Sequence, residues 1–193
     1  DLHLSLRRQR QMCIRDSCIP GSIGGAIAMN CGCYGNEISK LVISVDAVTF
    51  DGQLKTFKKD QIKFFYRGSD FGEPLIITSV KLKGSKGKKK EIQEKQNKFL
   101  DQKKKSQPSK IKTCGSTFKN PGNKKAWELI KDSGCINLRV GGAKLSNQHC
   151  NFFVNEGNAT SKDIELLIES VREKVYSKTG VKLDLEIKIV GKN

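Results

Sequence analysis

Thr113-Cys114-Gly115-Ser116-Thr117-Phe118-Lys119-Asn120-Pro121 is the stretch on which the reading of this chain turns. A serine directly follows a glycine, with a lysine, an asparagine and a proline close behind. Gly115 can take backbone angles closed to other residues, which predicts a sharp turn presenting the Ser116 hydroxyl at a cleft. Pro121 stops the extended segment and biases Asn120 toward a β-like conformation. Taken alone, Gly-Ser pairs mark polar loops far more often than active sites. The meaning of the stretch therefore depends on its company.

A length of 193 residues allows one large domain or two small ones. Hydrophobic residues make up 36%, and 18 glycines bring the apolar share into the ordinary globular range of about 45–50%. No apolar run approaches the ~18–20 residues of a membrane helix, so a soluble protein with no membrane partner is expected. The net charge is +16, from 36 Lys and Arg against 20 Asp and Glu. Much of the excess sits in residues 81–112 without interleaved aromatics, and it reads as a solvated lysine-rich face rather than a nucleic-acid surface. Seven cysteines with no Cys-x-x-Cys, and only two histidines, give no zinc pattern and no expected metal. Cys31, Cys33, Cys114 and Cys150 read as small buried hydrophobes in a reducing cytoplasm.

Residues 1–16 carry Arg7, Arg8, Arg10 and Arg15 but do not form a signal peptide, and are expected to be a non-native segment without weight in the fold. Residues 18–35 are rich in glycine. Gly21, Gly24 and Gly25 remove side chains where a backbone approaches a ligand, and residues 26–29 predict a short helical turn whose amides suit a pyrophosphate. The spacing is not Gly-x-Gly-x-x-Gly, so a Rossmann reading fails. Residues 41–57 predict a hairpin around Asp51-Gly52. Residues 75–83 predict another strand, and 91–105 a polar helix with Ile92, Phe99 and Leu100 as its few apolar contacts. The best domain boundary falls in 84–112. Residues 126–130 predict a short helix stopped by Gly134. Ile164, Leu167, Ile168, Val171 and Val175 recur at helical spacing behind a Thr160-x-x-Asp163 capping box, with Gly180 as the stop. Alternation over 181–189 predicts a half-buried strand whose charged set, Glu186 included, faces water.

Several phrases stand in fixed order along the chain. They are Ile19-Pro20-Gly21-Ser22-Ile23-Gly24-Gly25-Ala26, then Met29-Asn30-Cys31-Gly32-Cys33-Tyr34-Gly35, then Phe65-Tyr66-Arg67 and Gln107-Pro108. After the serine stretch come Arg139-Val140-Gly141-Gly142-Ala143, Asn151-Phe152-Phe153-Val154-Asn155, and Leu185-Glu186-Ile187-Lys188-Ile189-Val190-Gly191. In this order, from about Cys18 onward, they resemble the UDP-N-acetylenolpyruvoylglucosamine reductases, the MurB family of peptidoglycan synthesis.

The resemblance implies an α+β chain: the second half of a vanillyl-alcohol-oxidase/PCMH-type FAD-binding domain over 17–86, a lysine-rich connecting helix over 87–106, and a small α+β substrate-binding domain over 107–193. It implies a cytoplasmic UDP-N-acetylmuramate dehydrogenase in which electrons pass from NADPH through FAD to an enolpyruvyl double bond on a UDP-sugar. No oligomer is expected. The residues carried over are Arg67, Ser116 and Glu186 for catalysis, and Pro20, Gly21, Ile23, Gly24, Gly25 and Asn30 for the cofactor. Tyr66, Gln107, Lys119 and Asn120 are carried over for the substrate. Arg67 can fork onto a carboxylate where negative charge grows. Ser116 suits proton delivery only to a strongly basic carbon. Cys18 stands where the family usually has glycine, and Leu185 where it often has proline. A Gly-Gly-Gly-Ser-Asn phrase that would wrap the FAD pyrophosphate is absent, so the chain reads as N-terminally truncated and inactive alone, with the strand edges near 42–48 expected to be left exposed and sticky. The competing readings are a basic nucleic-acid-binding module and a different flavin oxidoreductase of the same fold.

Overall fold

The computed structural model describes residues 21–33, 35–108 and 111–191; the 1–16 segment and Pro20 lie outside them. The chain divides into two compact units, Asp1–Leu100 and Asp101–Asn193. Both combine helix with antiparallel sheet, in keeping with the α+β expectation.

In the N-terminal unit, helix α1 (Ile23–Ala28) begins earlier than the predicted turn. The cause is Ser22, whose Oγ accepts the Gly25 N–H at 3.1 Å and caps the first turn. A short ribbon follows, β1 (Gly32–Cys33) against β2 (Asn36–Glu37). Strand β3 (Val42–Thr49) then pairs with β4 (Leu54–Lys58) across the predicted turn, where Gly52 takes φ 86°. On its other side β3 pairs with β7 (Leu75–Leu82), giving the order β4-β3-β7. This corrects one expectation. Residues 42–48 were expected to leave a sticky edge, yet β7 covers that edge, and Val42, Val45 and Ala47 are buried. Exposed apolar groups here include Phe50, Leu54 and Ile76, on the loop and the flanking strands, and Ile43 of β3 itself at 41%. Ile27, Val42, Val45 and Ile62 form the unit's small core, backed by Phe57, Phe64, Ile77 and Val80. The aromatic run at 63–70, which carried no predicted pairing, is a hairpin of β5 (Lys63–Phe65) and β6 (Gly68–Asp70).

Helix α2 (Lys89–Ser106) runs past both ends of its predicted range, and none of its residues is buried. Its lysines are exposed apart from the half-buried Lys103. Among the described residues, no helix is long and apolar enough to cross a membrane.

The C-terminal unit is built on an antiparallel sheet ordered β8-β11-β10-β9. Its strands are β8 (Thr113–Ser116), β9 (Arg139–Val140), β10 (Ala143–Leu145) and β11 (Phe152–Asn155). Helix α3 (Ala126–Asp132) ends before Gly134 at φ 69°, and α4 (Ser161–Thr179) ends at Gly180 at φ 68°. The capping box at the start of α4 is formed: Asp163 N–H donates to Thr160 Oγ1 at 3.1 Å, and Thr160 N–H to Asp163 Oδ2 at 2.8 Å. The Thr160 N–H, with the Thr160 hydroxyl beside it, holds the Asp163 carboxyl below its usual range. The Gly141-Gly142 pair makes room for this cap. A Cβ at Gly141 would lie 2.7 Å from the Asp163 carboxylate, and one at Gly142 would lie 2.6 Å from the Ala159 nitrogen. Leu167, Ile168, Val171 and Val175 of α4 join Phe118, Ile130, Leu145, Phe153 and Leu183 in one core, with Phe118 and Phe153 edge to face at 5.9 Å.

The predicted strand over 181–189 is reduced to a single bridge, Phe118 opposite Leu185. Its partner segment is short: Pro121 ends it and lacks an N–H to extend the ladder. Leu183 is buried as the alternation requires, but Ile189 is 54% exposed. Two cysteines also depart from expectation. Cys33, on the exposed rim of the β1–β2 ribbon, and Cys114, beside an irregularity in β8, face water, whereas Cys135 and Cys150 are buried.

Candidate active site

Ser116 lies at the end of β8, opposite Phe152. Between that pair and the next, Thr113 opposite Val154, β8 holds one residue more than β11. Gly115 absorbs the extra residue at φ 87°, and its N–H donates to Thr113 Oγ1 at 3.3 Å. The special backbone predicted at Gly115 is present, but it makes a bulge within the sheet rather than a sharp turn out of it. The bulge redirects the half-buried Ser116 and the residues after it.

Past the bulge, Thr117 and Phe118 part from β11, and Asn151 fills the gap. Its Nδ2 donates to Phe118 C=O at 2.9 Å, Phe118 N–H donates to its Oδ1 at 3.0 Å, and Thr117 N–H donates to its backbone oxygen at 2.8 Å. The carboxamide thus replaces a strand partner for Phe118. On the opposite side, Glu186 N–H donates to Thr117 C=O at 2.8 Å, and Lys119 N–H to Asp184 C=O at 2.8 Å. These bonds bring the Ser116 and Glu186 segments together. Glu186 is half-buried, unlike Lys182, Asp184 and Lys188, which are exposed. Alternation alone had set it with that exposed charged group. Lys119 is half-buried; Asn120 is exposed, with its Oδ1 accepting the Ala126 N–H at 3.0 Å at the start of α3. Gln107 is half-buried just past α2. Asn151 was missed as a site-building residue, because its role depends on a register shift that no local pattern reports.

Two clefts of this unit lie away from Ser116 and Glu186. One of about 590 Å³ is bordered by Pro108, Lys112, Lys144, Gln148 and Glu156, and one of about 420 Å³ by Trp127, His149 and Cys150. The His149 ring packs against Phe152 at 4.8 Å and Trp127 at 6.3 Å, and its Nδ1 accepts the Asn151 N–H at 3.3 Å. Burial pushes its imidazole below the ordinary histidine value. The neutral form is therefore favoured by folding. Its stabilising contribution is whole above the unfolded value of about 6.5 and is lost as pH falls through the folded value. Unfolding followed by the fluorescence of Trp127, the sole tryptophan, checks this. From about pH 7 to about pH 5 the parent should lose more stability than His149→Phe, and parallel curves would remove the assignment.

In the N-terminal unit, Tyr66 and Arg67 form the tip of the β5–β6 hairpin. Arg67 takes φ 60°, rare for a residue with a side chain, and its guanidinium carbon lies 4.9 Å from the Tyr66 ring centroid. The Cys31 thiol is pushed up by burial and by Cys33, while the nearby Arg67 charge opposes the shift. Gly21 has φ 153° with open space where a Cβ would stand, and a Cβ on Gly25 would press on the capping Ser22 hydroxyl at 3.3 Å. Ile23 and Gly24 open α1. The Asn30 carboxamide, expected at the cofactor, is turned into the protein. It is 1% exposed, and its Nδ2 donates to Phe65 C=O at 3.1 Å and Glu37 Oε2 at 3.0 Å.

Fold and site together define the class first: a two-unit α+β protein whose second unit joins a bulged serine strand to a carboxylate-bearing tail. The family model described as the UDP-N-acetylenolpyruvoylglucosamine reductase C-terminal domain (MurB_C) matches residues 107–190. Curated relatives named UDP-N-acetylenolpyruvoylglucosamine reductase include one from Pelagibacter ubique, 45% identical over 177 residues, and one from Rickettsia akari, 44% identical over 174. Each alignment takes in 90% of this chain and 59% of the relative. The crystal structure of UDP-N-acetylenolpyruvylglucosamine reductase (MurB) from Thermus caldophilus aligns with a TM-score of 0.77 at 34% identity, over 88% of this chain and 60% of that one. The chain is thus similar to UDP-N-acetylenolpyruvoylglucosamine reductases along 90% of its own length, and it spans about 59% of the length of these curated relatives.

Proposed function

We propose that this chain works as part of a cytoplasmic UDP-N-acetylenolpyruvoylglucosamine reductase. The enzyme converts UDP-N-acetylglucosamine enolpyruvate to UDP-N-acetylmuramate for peptidoglycan, using NADPH and FAD. The observation that carries this reading is the pairing of the Ser116 and Glu186 segments through Glu186 N–H to Thr117 C=O and the Phe118–Leu185 bridge. That pairing puts a hydroxyl and a carboxylate on adjoining backbone, within the unit that resembles the family's C-terminal domain.

The glycine turn fits a dinucleotide. Among the described residues the Gly25 amide is already bonded to Ser22, so a phosphate reaching this turn would meet the amides of Ile23 and Gly24, beside the open backbone of Gly21. When bound, FAD would supply the hydride for the enolpyruvyl double bond. The chain's own residues handle charge and proton. Arg67 holds the substrate carboxylate, next to which negative charge grows, and its fixed charge suits that task. The Ser116 Oγ donates its proton to the strongly basic carbon left after hydride addition. Glu186 sits by that intermediate and favours its enol form, which a half-buried carboxyl does better than a solvated one. Tyr66, Gln107, Lys119 and Asn120 orient the UDP-sugar.

The test uses the complete gene product with NADPH and the enolpyruvyl UDP-sugar. NADPH consumption should require that sugar, and Glu186→Gln should lower turnover by ~10²–10³ with little change in substrate affinity. Turnover within a few-fold of the parent would return Glu186 to a structural role, and no consumption by the parent would end the reading.

A further inference from the structure

We propose that Asn30 is a positioning residue for Arg67: its buried carboxamide ties the base of the Tyr66–Arg67 turn to the glycine-rich helix α1. This rests on the reading above, in which Arg67 holds the substrate carboxylate. Asn30 directly follows α1 and takes φ 41°, a conformation that asparagine tolerates better than most residues. Its side chain is 1% exposed and bonded on every side. One Nδ2 hydrogen goes to the Phe65 carbonyl at 3.1 Å, the other to Glu37 Oε2 at 3.0 Å, and its Oδ1 accepts the Ser39 N–H at 3.3 Å. Glu37 is steadied in turn by the Ser39 hydroxyl at 3.4 Å.

Phe65 is the last residue before the turn, and it pairs with Gly68 just after it. Its carbonyl is therefore a point two residues from Arg67 that the rest of the unit holds. A second tie lies beyond the turn, where Ser69 Oγ donates to the Ala28 carbonyl of α1 at 3.3 Å. Arg67 itself sits at φ 60°, a strained state that persists only where its surroundings over-determine it. The two ties, with the Tyr66 ring under the guanidinium, are part of that surround. A buried carboxamide with both hydrogens used holds geometry more rigidly than an exposed one, because releasing it leaves polar atoms without water. The consequence is a fixed distance between the helix carrying the glycines and the turn carrying the arginine.

The experiment uses the complete gene product, with Asn30→Gly as the variant: glycine keeps the positive φ while removing the amide. In the flavin-free protein, hydrogen exchange at Ser39 and across 65–70 should quicken by about tenfold or more, with 42–49 unchanged. In the loaded enzyme, reoxidation by the enolpyruvyl substrate should slow by roughly 10²-fold, while reduction by NADPH stays within about two-fold. Added to Arg67→Ala, Asn30→Gly should cost less than about two-fold more, since both act through the same group. Unchanged exchange across 65–70, or fully additive losses, overturns the assignment. If Arg67→Ala leaves reoxidation intact, it is the role of Arg67 that fails, and the catalytic part of the inference with it. Asn30→Asp keeps the size and the bond from Ser39 but loses the donors, and it answers the same questions if the glycine variant does not fold.

Discussion

Under the proposed function, Ser116→Ala in the complete gene product should slow reoxidation by the enolpyruvyl substrate by about 10²–10⁴-fold, while reduction by NADPH should proceed at the parent rate. The split follows from where the hydroxyl sits and what it can do. Ser116 is half-buried at the end of β8, and its strand geometry is set by the Gly115 bulge and the pairing with Phe152 rather than by its own side chain. Alanine occupies the same backbone and a slightly smaller volume, so the sheet persists and only the proton donor is lost. A serine hydroxyl is too weak an acid to protonate a mild base; it is useful only to a carbon made strongly basic by hydride addition. Reduction by NADPH needs no such donor. Stopped-flow absorbance separates the two half-reactions, and a matching thermal midpoint for the variant excludes unfolding. Equal loss in both half-reactions, or loss in neither, removes Ser116 as the acid.

What could be read from residues alone follows the range of the interaction involved. Helix α4 was fully legible: its apolar period, the Thr160–Asp163 box and the Gly180 stop are all local, and each appears in the structure. The β3–β4 hairpin was legible for the same reason, through Asp51-Gly52. The pairing of β3 with β7 spans the intervening β5–β6 hairpin, and no local signal selects it; hence the mistaken exposed edge at 42–48. At the site, Gly115 announced an unusual backbone, but glycine does not say whether the chain turns or bulges. That choice depends on β11, whose Phe152 and Val154 fix the register on either side. Arg67 carries a positive φ without being glycine, so composition gave no hint of the turn it occupies. Glu186 looked solvated because alternation counts faces and not neighbours. It is half-buried because Thr117 lies across from it.

Asn151→Leu should destabilise the C-terminal unit by about 2–5 kcal/mol, the largest stability effect expected from any single side chain near the serine, since it strands two buried backbone groups at once. The bulge that lets β8 present Ser116 also pulls Thr117 and Phe118 off register with β11. Phe118 is 1% exposed, so neither its N–H nor its C=O can turn to water. Both are met by one side chain, at 3.0 and 2.9 Å, while the groups of Thr117 and Lys119 are taken from the other side by Glu186 and Asp184. Asn151 is 4% exposed and is the donor-and-acceptor pair that keeps this segment a strand between two partners. Leucine matches its volume and supplies neither group. Asn151→Asp keeps the acceptor for Phe118 N–H but sets a charge against Phe118 C=O, and it should fall at least as far. Urea unfolding followed by Trp127 fluorescence reports on this unit directly, and leucine at the exposed Asn147 serves as the control. A loss below about 1 kcal/mol for Asn151→Leu would mean the Phe118 groups find other partners. The carboxamide would then be a bystander, and the pairing of the Ser116 and Glu186 segments would rest on the Glu186–Thr117 and Lys119–Asp184 backbone bonds.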